Sequence, residues 1–261
     1  MKKSLISALM VAGGLLAAAS SYAGPVDVGG VKWNTDSPFD FSTTDTMVEA
    51  IANNVGDVAS GYGKILNLNA TGEATFCPGC ELTYTFTGYT ITSTAGGNFT
   101  FSGGTLNVYV DSTPNWDATL ASTAGDGVLW LSLVGKSHID TVTGNTGTLH
   151  SDPTPAAGTN VAGDGRGFLE VTGGLAAANF DTDKFVVETS PGVFGFADFL
   201  FTSSFQLIPG GTFVSDDGKT YGLFGSNDLQ GNSIPVPEPG SLALVAVGML
   251  GLARVSRRRK S

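Results

Sequence analysis

Glu81-Leu82-Thr83-Tyr84-Thr85-Phe86-Thr87 alternates apolar and polar residues without a break, and Tyr89-Thr90-Ile91-Thr92 resumes the pattern after Gly88. A period of two puts Leu82, Tyr84 and Phe86 on one face and Glu81 with the threonines on the other, the pattern of a half-buried antiparallel strand. Similar short runs recur at residues 64–70, 98–101, 105–111, 127–134, 167–172, 184–187 and 199–208, separated by turn pairs such as Gly96-Gly97, Gly103-Gly104, Gly173-Gly174 and Asp217-Gly218. Many short strands joined by glycine-rich turns predict an all-β domain, an antiparallel β-sandwich or jelly-roll-like fold with at most one or two short helices. Two segments read as helical. Residues 45–52 carry an acidic first turn with Met47, Val48 and Ile51 on one side, and residues 175–178 suit a single turn. Residues 151–164, rich in Pro, Ala, Gly and Thr, read as an exposed loop.

The two ends of the chain differ from this middle. Met1-Lys2-Lys3, an apolar run over residues 5–19 and Ser21-Tyr22-Ala23 form a secretory signal peptide (residues 1–23) with cleavage between Ala23 and Gly24. A β-rich domain follows over residues 24–224, then a polar linker over residues 225–234. Residues 235–261 hold Pro235, Pro237 and Pro239, an apolar run over residues 242–253, and the basic group Arg254, Arg257, Arg258, Arg259 and Lys260. The prolines favour an extended segment that cannot join the helix after them. That short transmembrane helix, residues 241–255, would be about 22 Å long against a hydrocarbon core of about 30 Å. The basic residues would stay on the cytoplasmic side.

Removing both ends leaves a strongly acidic protein, with six lysines and arginines against 22 acids over residues 24–237. A negative surface of that size excludes nucleic acid and anionic membrane surfaces as partners, since both need positive potential. The spread of aromatic residues from Phe76 to Phe205 argues against disorder.

Chemistry in the middle is sparse. Cys77-Pro78-Gly79-Cys80 is the only cysteine pair, and in an exported chain it is expected to form a disulfide at a hairpin turn between residues 73–76 and 81–86. Glu81 stands where a c-type haem site needs histidine, and the spacing of His138 and His150 suits no zinc finger. Both histidines read as surface residues without a nucleophile motif. Asp181, Asp183, Asp216 and Asp217 lie on turns and are candidate calcium ligands, although no EF-hand loop is present. Trp130 sits in an apolar run and reads as core, whereas Trp116, in a loop, is a candidate for contact with a sugar ring.

Pro237-Glu238-Pro239, the apolar run and the terminal arginine cluster together resemble the PEP-CTERM sorting domain of bacterial exosortase substrates. The resemblance implies processing by signal peptidase and exosortase, a transient inner-membrane precursor, and a mature form at the cell surface or in the extracellular matrix. Segments such as Ala59-Ser60-Gly61-Tyr62-Gly63, residues 76–86 and Leu106-Asn107-Val108-Tyr109-Val110-Asp111 are similar to surface proteins with the same tail, including a flocculation-associated group. The expected role is therefore non-enzymatic, in exopolysaccharide-associated biofilm or floc, with exopolysaccharide as a partner. The alternative is an extracellular carbohydrate-active enzyme, a glycosidase or lyase using an unrecognised acid pair.

Overall fold

Leu82, Tyr84 and Phe86 face the interior of a sheet that closes on itself. The computed structural model describes residues 25–35, 41–155 and 161–234. In chain order its strands are β1 (Val26–Val28), β2 (Val31–Trp33), β3 (Phe41–Ala50), β4 (Val58–Leu68), β5 (Thr71–Gly72), β6 (Glu81–Ser93), β7 (Phe99–Asp111), β8 (Val128–Lys136), β9 (His138–Ile139), β10 (Thr146–Gly147), β11 (Leu149–Pro155), β12 (Val161–Gly173), β13 (Phe185–Ser190), β14 (Val193–Ala197), β15 (Phe199–Leu207), β16 (Phe213–Val214) and β17 (Thr220–Gly231). Two four-residue helices, Glu73–Phe76 and Ala177–Phe180, lie between them.

The chain is all-β and antiparallel, as its alternation requires, and one sheet takes the place of two packed ones. The order β12-β15-β17-β3-β4-β6-β7-β8 is continuous, and β8 pairs back onto β12. The last wall position is shared end to end. β8 pairs with residues 105–110 of β7 and residues 168–173 of β12, whereas β11 pairs with residues 99–101 and 161–167 of the same strands. The wall therefore has a seam where β8 ends and β11 begins, spanned by the small β9–β10 hairpin.

Closure with large inward side chains needs space on the neighbouring strand. At Gly61 and Gly63 of β4 a Cβ would stand 2.2 Å from the Val48 carbonyl and 1.9 Å from the Thr46 carbonyl, and would also strike the rings of Phe86 and Tyr84. Only glycine permits that approach.

One end of the barrel is plugged. The β1–β2 hairpin, both short helices and the disulfide-bonded Cys77–Cys80 turn gather there, around Trp33, Trp130, Phe180 and Phe199. Trp33 lies 5.2 Å from Phe180, stacked, and 5.7 Å from Trp130, edge to face. Trp130 donates its indole N–H to the Val28 carbonyl at 2.9 Å. Trp130 is core, as its apolar run implies.

Several local expectations change. Residues 45–50 belong to β3 and not to a helix, because the acids are not a solvent face: Asp45, Met47 and Glu49 turn inward while Val48 packs outside against Tyr62 and Tyr221. Glu73–Phe76 is a helical turn instead of a strand, with Phe76 buried in the plug. Residues 151–155 and 161–164 extend β11 and β12, so the expected loop shrinks. The polar linker is corrected likewise: residues 225–231 complete β17, with Leu229 inward and Asp228 outward, and only the alternation of small and polar residues hid it. Finally, Glu81 and Thr83 are fully buried on the outer face of β6. Glu81 accepts hydrogen bonds from Lys64 at 2.9 Å and from the backbone N–H groups of Asn115 and Trp116 at 2.7 and 3.0 Å, which fastens the loop over residues 112–126 onto the wall.

Candidate functional site

The seam in the wall is where sequence reasoning and structure part most. His138 and His150 are 5 % and 3 % exposed, so neither is a surface residue, and their rings meet edge to face at 4.9 Å. β9 carries the first and β11 the second, so the hairpin across the seam brings together residues twelve apart in sequence. Phe168 packs edge-on against His138 at 4.9 Å. Burial lowers the pKa of both histidines, and the neighbouring His138 adds to this at His150. The His138 Nδ1 contacts the Lys136 carbonyl at 3.1 Å. The backbone of His138 offers the His150 ring a hydrogen bond that opposes this lowering, and both His150 nitrogens are closed off from solvent.

Asp140, in the loop that joins β9 to β10, ties this hairpin to β12. Its carboxylate accepts two hydrogen bonds from Arg166, at 2.6 and 3.1 Å, and two from Thr143, at 2.7 and 2.9 Å. Burial alone would raise its pKa, but these donors outweigh it and hold the group at about 2. Arg166 is thereby committed to Asp140.

Outward residues of four strands continue from this point into a groove of about 390 Å³. The register sets two rows across β11, β12, β15 and β17: His150, Arg166, Thr202 and Asp228 in one, and Asp152, Asp164, Ser204 and Ser226 in the other. Asp152 and Asp164 are direct cross-strand partners. Like charges so placed repel each other.

Inside the far end of the barrel lies a second cavity of about 50 Å³, lined by Phe86, Phe101, Leu106 and Phe201 with Glu49 and Ser151. Desolvation pushes the Glu49 carboxyl up to about 8. Deeper, Asp45 is likewise raised by burial, and Asn227 donates to the Tyr84 hydroxyl at 2.7 Å, which donates to the Thr46 carbonyl at 2.6 Å. A void of that size holds a water or two rather than an organic ligand.

The residues singled out from sequence fall elsewhere. Cys77 and Cys80 form the disulfide, with Cα atoms 5.1 Å apart, at the plug and far from both histidines in the fold. Trp116 is half-buried, with its ring 5.8 Å from Tyr62 and edge-on to it. Asp181 and Asp183 flank a turn gathered by Asp198, which is 1 % exposed and accepts from the N–H groups of Thr182, Asp183 and Val171 at 2.7 to 2.8 Å. Asp216 accepts from Ser122 N–H and the Ser215 hydroxyl, and Asp217 from the Tyr221 hydroxyl. The four acids are split between two loops. Among the described residues no three His, Cys, Asp or Glu side chains are grouped to hold a metal ion. The groove itself left one trace in the sequence, the polar alternation of residues 150–152, 164–166, 202–204 and 226–228, which has meaning only once the strands are in register.

Ala23 and Gly24, the Pro237-Glu238-Pro239 motif, the short membrane helix and the basic group at Arg254, Arg257, Arg258, Arg259 and Lys260 lie outside the described residues. Among the described residues no helix is long and apolar enough to cross a membrane. The last described residues are fixed at the plugged end: Ile234 N–H donates to the Asn179 carbonyl at 2.8 Å, and the Asn179 amide donates to the Ile234 carbonyl at 3.0 Å. The chain is thus a closed antiparallel barrel whose fastened C-terminal edge leads straight into a tail. Residues 235–260 of that tail match the family model of the PEP-CTERM protein-sorting motif, so the chain carries that motif. The motif implies an exported protein with a membrane-anchored precursor that exosortase processes. Comparison with curated proteins and with solved structures gives no match.

Proposed function

We infer that the mature barrel is a non-enzymatic component of an extracellular polysaccharide matrix, released at the cell surface by exosortase and contributing to biofilm or floc structure. The observation that carries this reading is the sorting motif, which begins directly after a folded and disulfide-bonded domain. A plugged barrel with glycine-tight packing suits a protein that must persist outside the cell. Its broad, hydroxyl-bearing outer strands offer area for noncovalent contact with sugars, and Trp116, partly buried against Tyr62, is the aromatic candidate for such a contact.

Two measurements test the reading. Glu238→Ala should leave a full-length species in the inner membrane; normal release of that variant removes the exosortase step. Deleting the gene should weaken cell aggregation without loss of any polysaccharide-degrading activity. Purified protein that shortens the host polysaccharide would establish an enzyme instead.

A further inference from the structure

We propose that the outer edge of β14 pairs with the same edge of a second copy of this chain, joining two barrels through a four-stranded antiparallel sheet. Closing the wall removes the free edges of the large sheet, but the β13–β14 hairpin stands outside it as a separate two-stranded sheet. Its inner face rests on the wall: Val187 and Ala197 are buried, and the Phe185 ring lies 5.9 Å from that of Phe168. Its outer face carries Val186, Phe194 and Phe196, which are 64 %, 64 % and 52 % exposed, with Val186 and Phe196 direct cross-strand partners. Among the described residues β14 pairs with β13 alone, so its second edge is open to a further strand. Natural edges are commonly blunted by a charge or a proline. Val193–Ala197 contains neither, and Glu188, the one charged residue of β13, accepts the Gly192 N–H at 2.7 Å.

The sequence of the edge says what fits it. Val193-Phe194-Gly195-Phe196-Ala197 reads almost alike in both directions about Gly195. A two-fold axis through Gly195 therefore sets Phe194 of each copy opposite Phe196 of the other, a self-complementary contact that closes as a dimer. It also extends the Val186–Phe196 pair into a row of three apolar side chains, the third being Phe194 of the other copy. Aromatic cross-strand pairs of this kind stabilise a sheet. Even if fully covered, Val186, Phe194 and Phe196 offer about 350 Å² per copy and about 700 Å² for the pair, below the roughly 1,200 Å² at which stable interfaces begin. The pairing is thus weak and governed by protein concentration, which suits barrels crowded at a cell surface.

The inference goes beyond the matrix reading, and its measurement is independent of sorting, cell aggregation and sugar contact. The exported protein, recovered from producing cells, is followed by sedimentation velocity from micromolar to millimolar concentration. A reversible dimer should appear, with a dissociation constant of about 0.1 to 1 mM. Phe194→Lys with Phe196→Lys sets like charges opposite each other across the two-fold and should weaken pairing at least about tenfold, as should Phe194→Glu with Phe196→Glu. Mixed in equal amounts, these two double variants should pair again, because each now meets the opposite charge at both positions. Val142→Lys with Val214→Lys, at sites 66 % and 67 % exposed elsewhere, should change pairing less than about twofold. Phe194 and Phe196 are exposed, so their variants should keep the melting temperature of the parent. A monomer throughout the range, a dimer that persists in either Phe194 and Phe196 double variant, equal loss in the Val142 and Val214 control, or no pairing in the mixture would each overturn the proposal. So would a monomer that, through Phe194 and Phe196, floats with vesicles of phosphatidylethanolamine and phosphatidylglycerol or sediments with the host polysaccharide, since the face then belongs to a membrane or a sugar. Failure of the Glu238→Ala or deletion experiments would leave these measurements untouched.

Discussion

The Trp33 indole donates a 2.9 Å hydrogen bond to the Ser233 hydroxyl, joining residues 200 positions apart and locking the first described hairpin to the last described segment. Trp33 is 3 % exposed and in ring contact with both Trp130 and Phe180. Trp33→Ala should therefore cost about 3 to 5 kcal/mol, the range for emptying a large aromatic site. Ser233→Ala, which leaves the indole N–H without this acceptor, should cost about 1 to 3 kcal/mol. Urea unfolding measures both. A loss under about 1 kcal/mol at Trp33 would show that the plug is not part of the cooperative fold.

Glycines in this chain are not interchangeable. At Gly63 an added Cβ would stand 1.9 Å from the Thr46 carbonyl and 2.3 Å from the Tyr84 hydroxyl, both held in place by the wall, whereas at Gly72 it meets nothing within 4 Å. Gly63→Ala should destabilise by about 3 kcal/mol or more, at or beyond the top of the usual overpacking range. Gly72→Ala should lie within about 0.5 kcal/mol of the parent. Equal midpoints for the two variants would contradict the closed barrel.

Glu49 gives the barrel a pH dependence of definite sign. Its carboxyl rises from 4.5 to about 8 through desolvation, so the folded chain holds a proton that the unfolded chain releases, and stability falls as pH rises between those values. Asp45, raised by burial as well, acts in the same direction. The depressed histidines and Asp140 act oppositely, the histidines mainly below about pH 6.5 and Asp140 below about pH 4. Between pH 6.5 and 8 the parent should lose stability, and Glu49→Gln should flatten that slope by up to about 1.4 kcal/mol per pH unit. Parallel curves for parent and variant would show that Glu49 is solvated.

How much of this could be read from the chain depends on what each residue's neighbours do. The strands at residues 81–93 and 105–111 are visible because Leu82, Tyr84, Leu106 and Val108 obey a period of two. β3 is not, because its inward set includes Asp45 and Glu49, and acids turned into a lumen look in the sequence like the polar side of a helix. The end of β17 is hidden by its own composition: position 225 is glycine because the Ser204 carbonyl lies 1.8 Å from where a Cβ would be, a constraint from another strand. Closure itself depends on Gly61 and Gly63 making room for rings more than twenty residues away. The site is less legible still. His138 and His150 meet only because a hairpin spans the seam, and the Asp152–Asp164 pairing is a matter of register. The sorting tail, by contrast, is read locally, which is why its motif stands out in the sequence and the groove does not.

The fastening of Ile234 to Asn179 also fixes a tether length. From Ile234 to Pro237 there are three residues, which at full extension reach about 10 Å. Any protease that cuts at the motif must work within that distance of a finished barrel, so the body of the protein acts as a gauge against the enzyme. Lengthening the tether would move the motif away from the barrel without altering the motif itself.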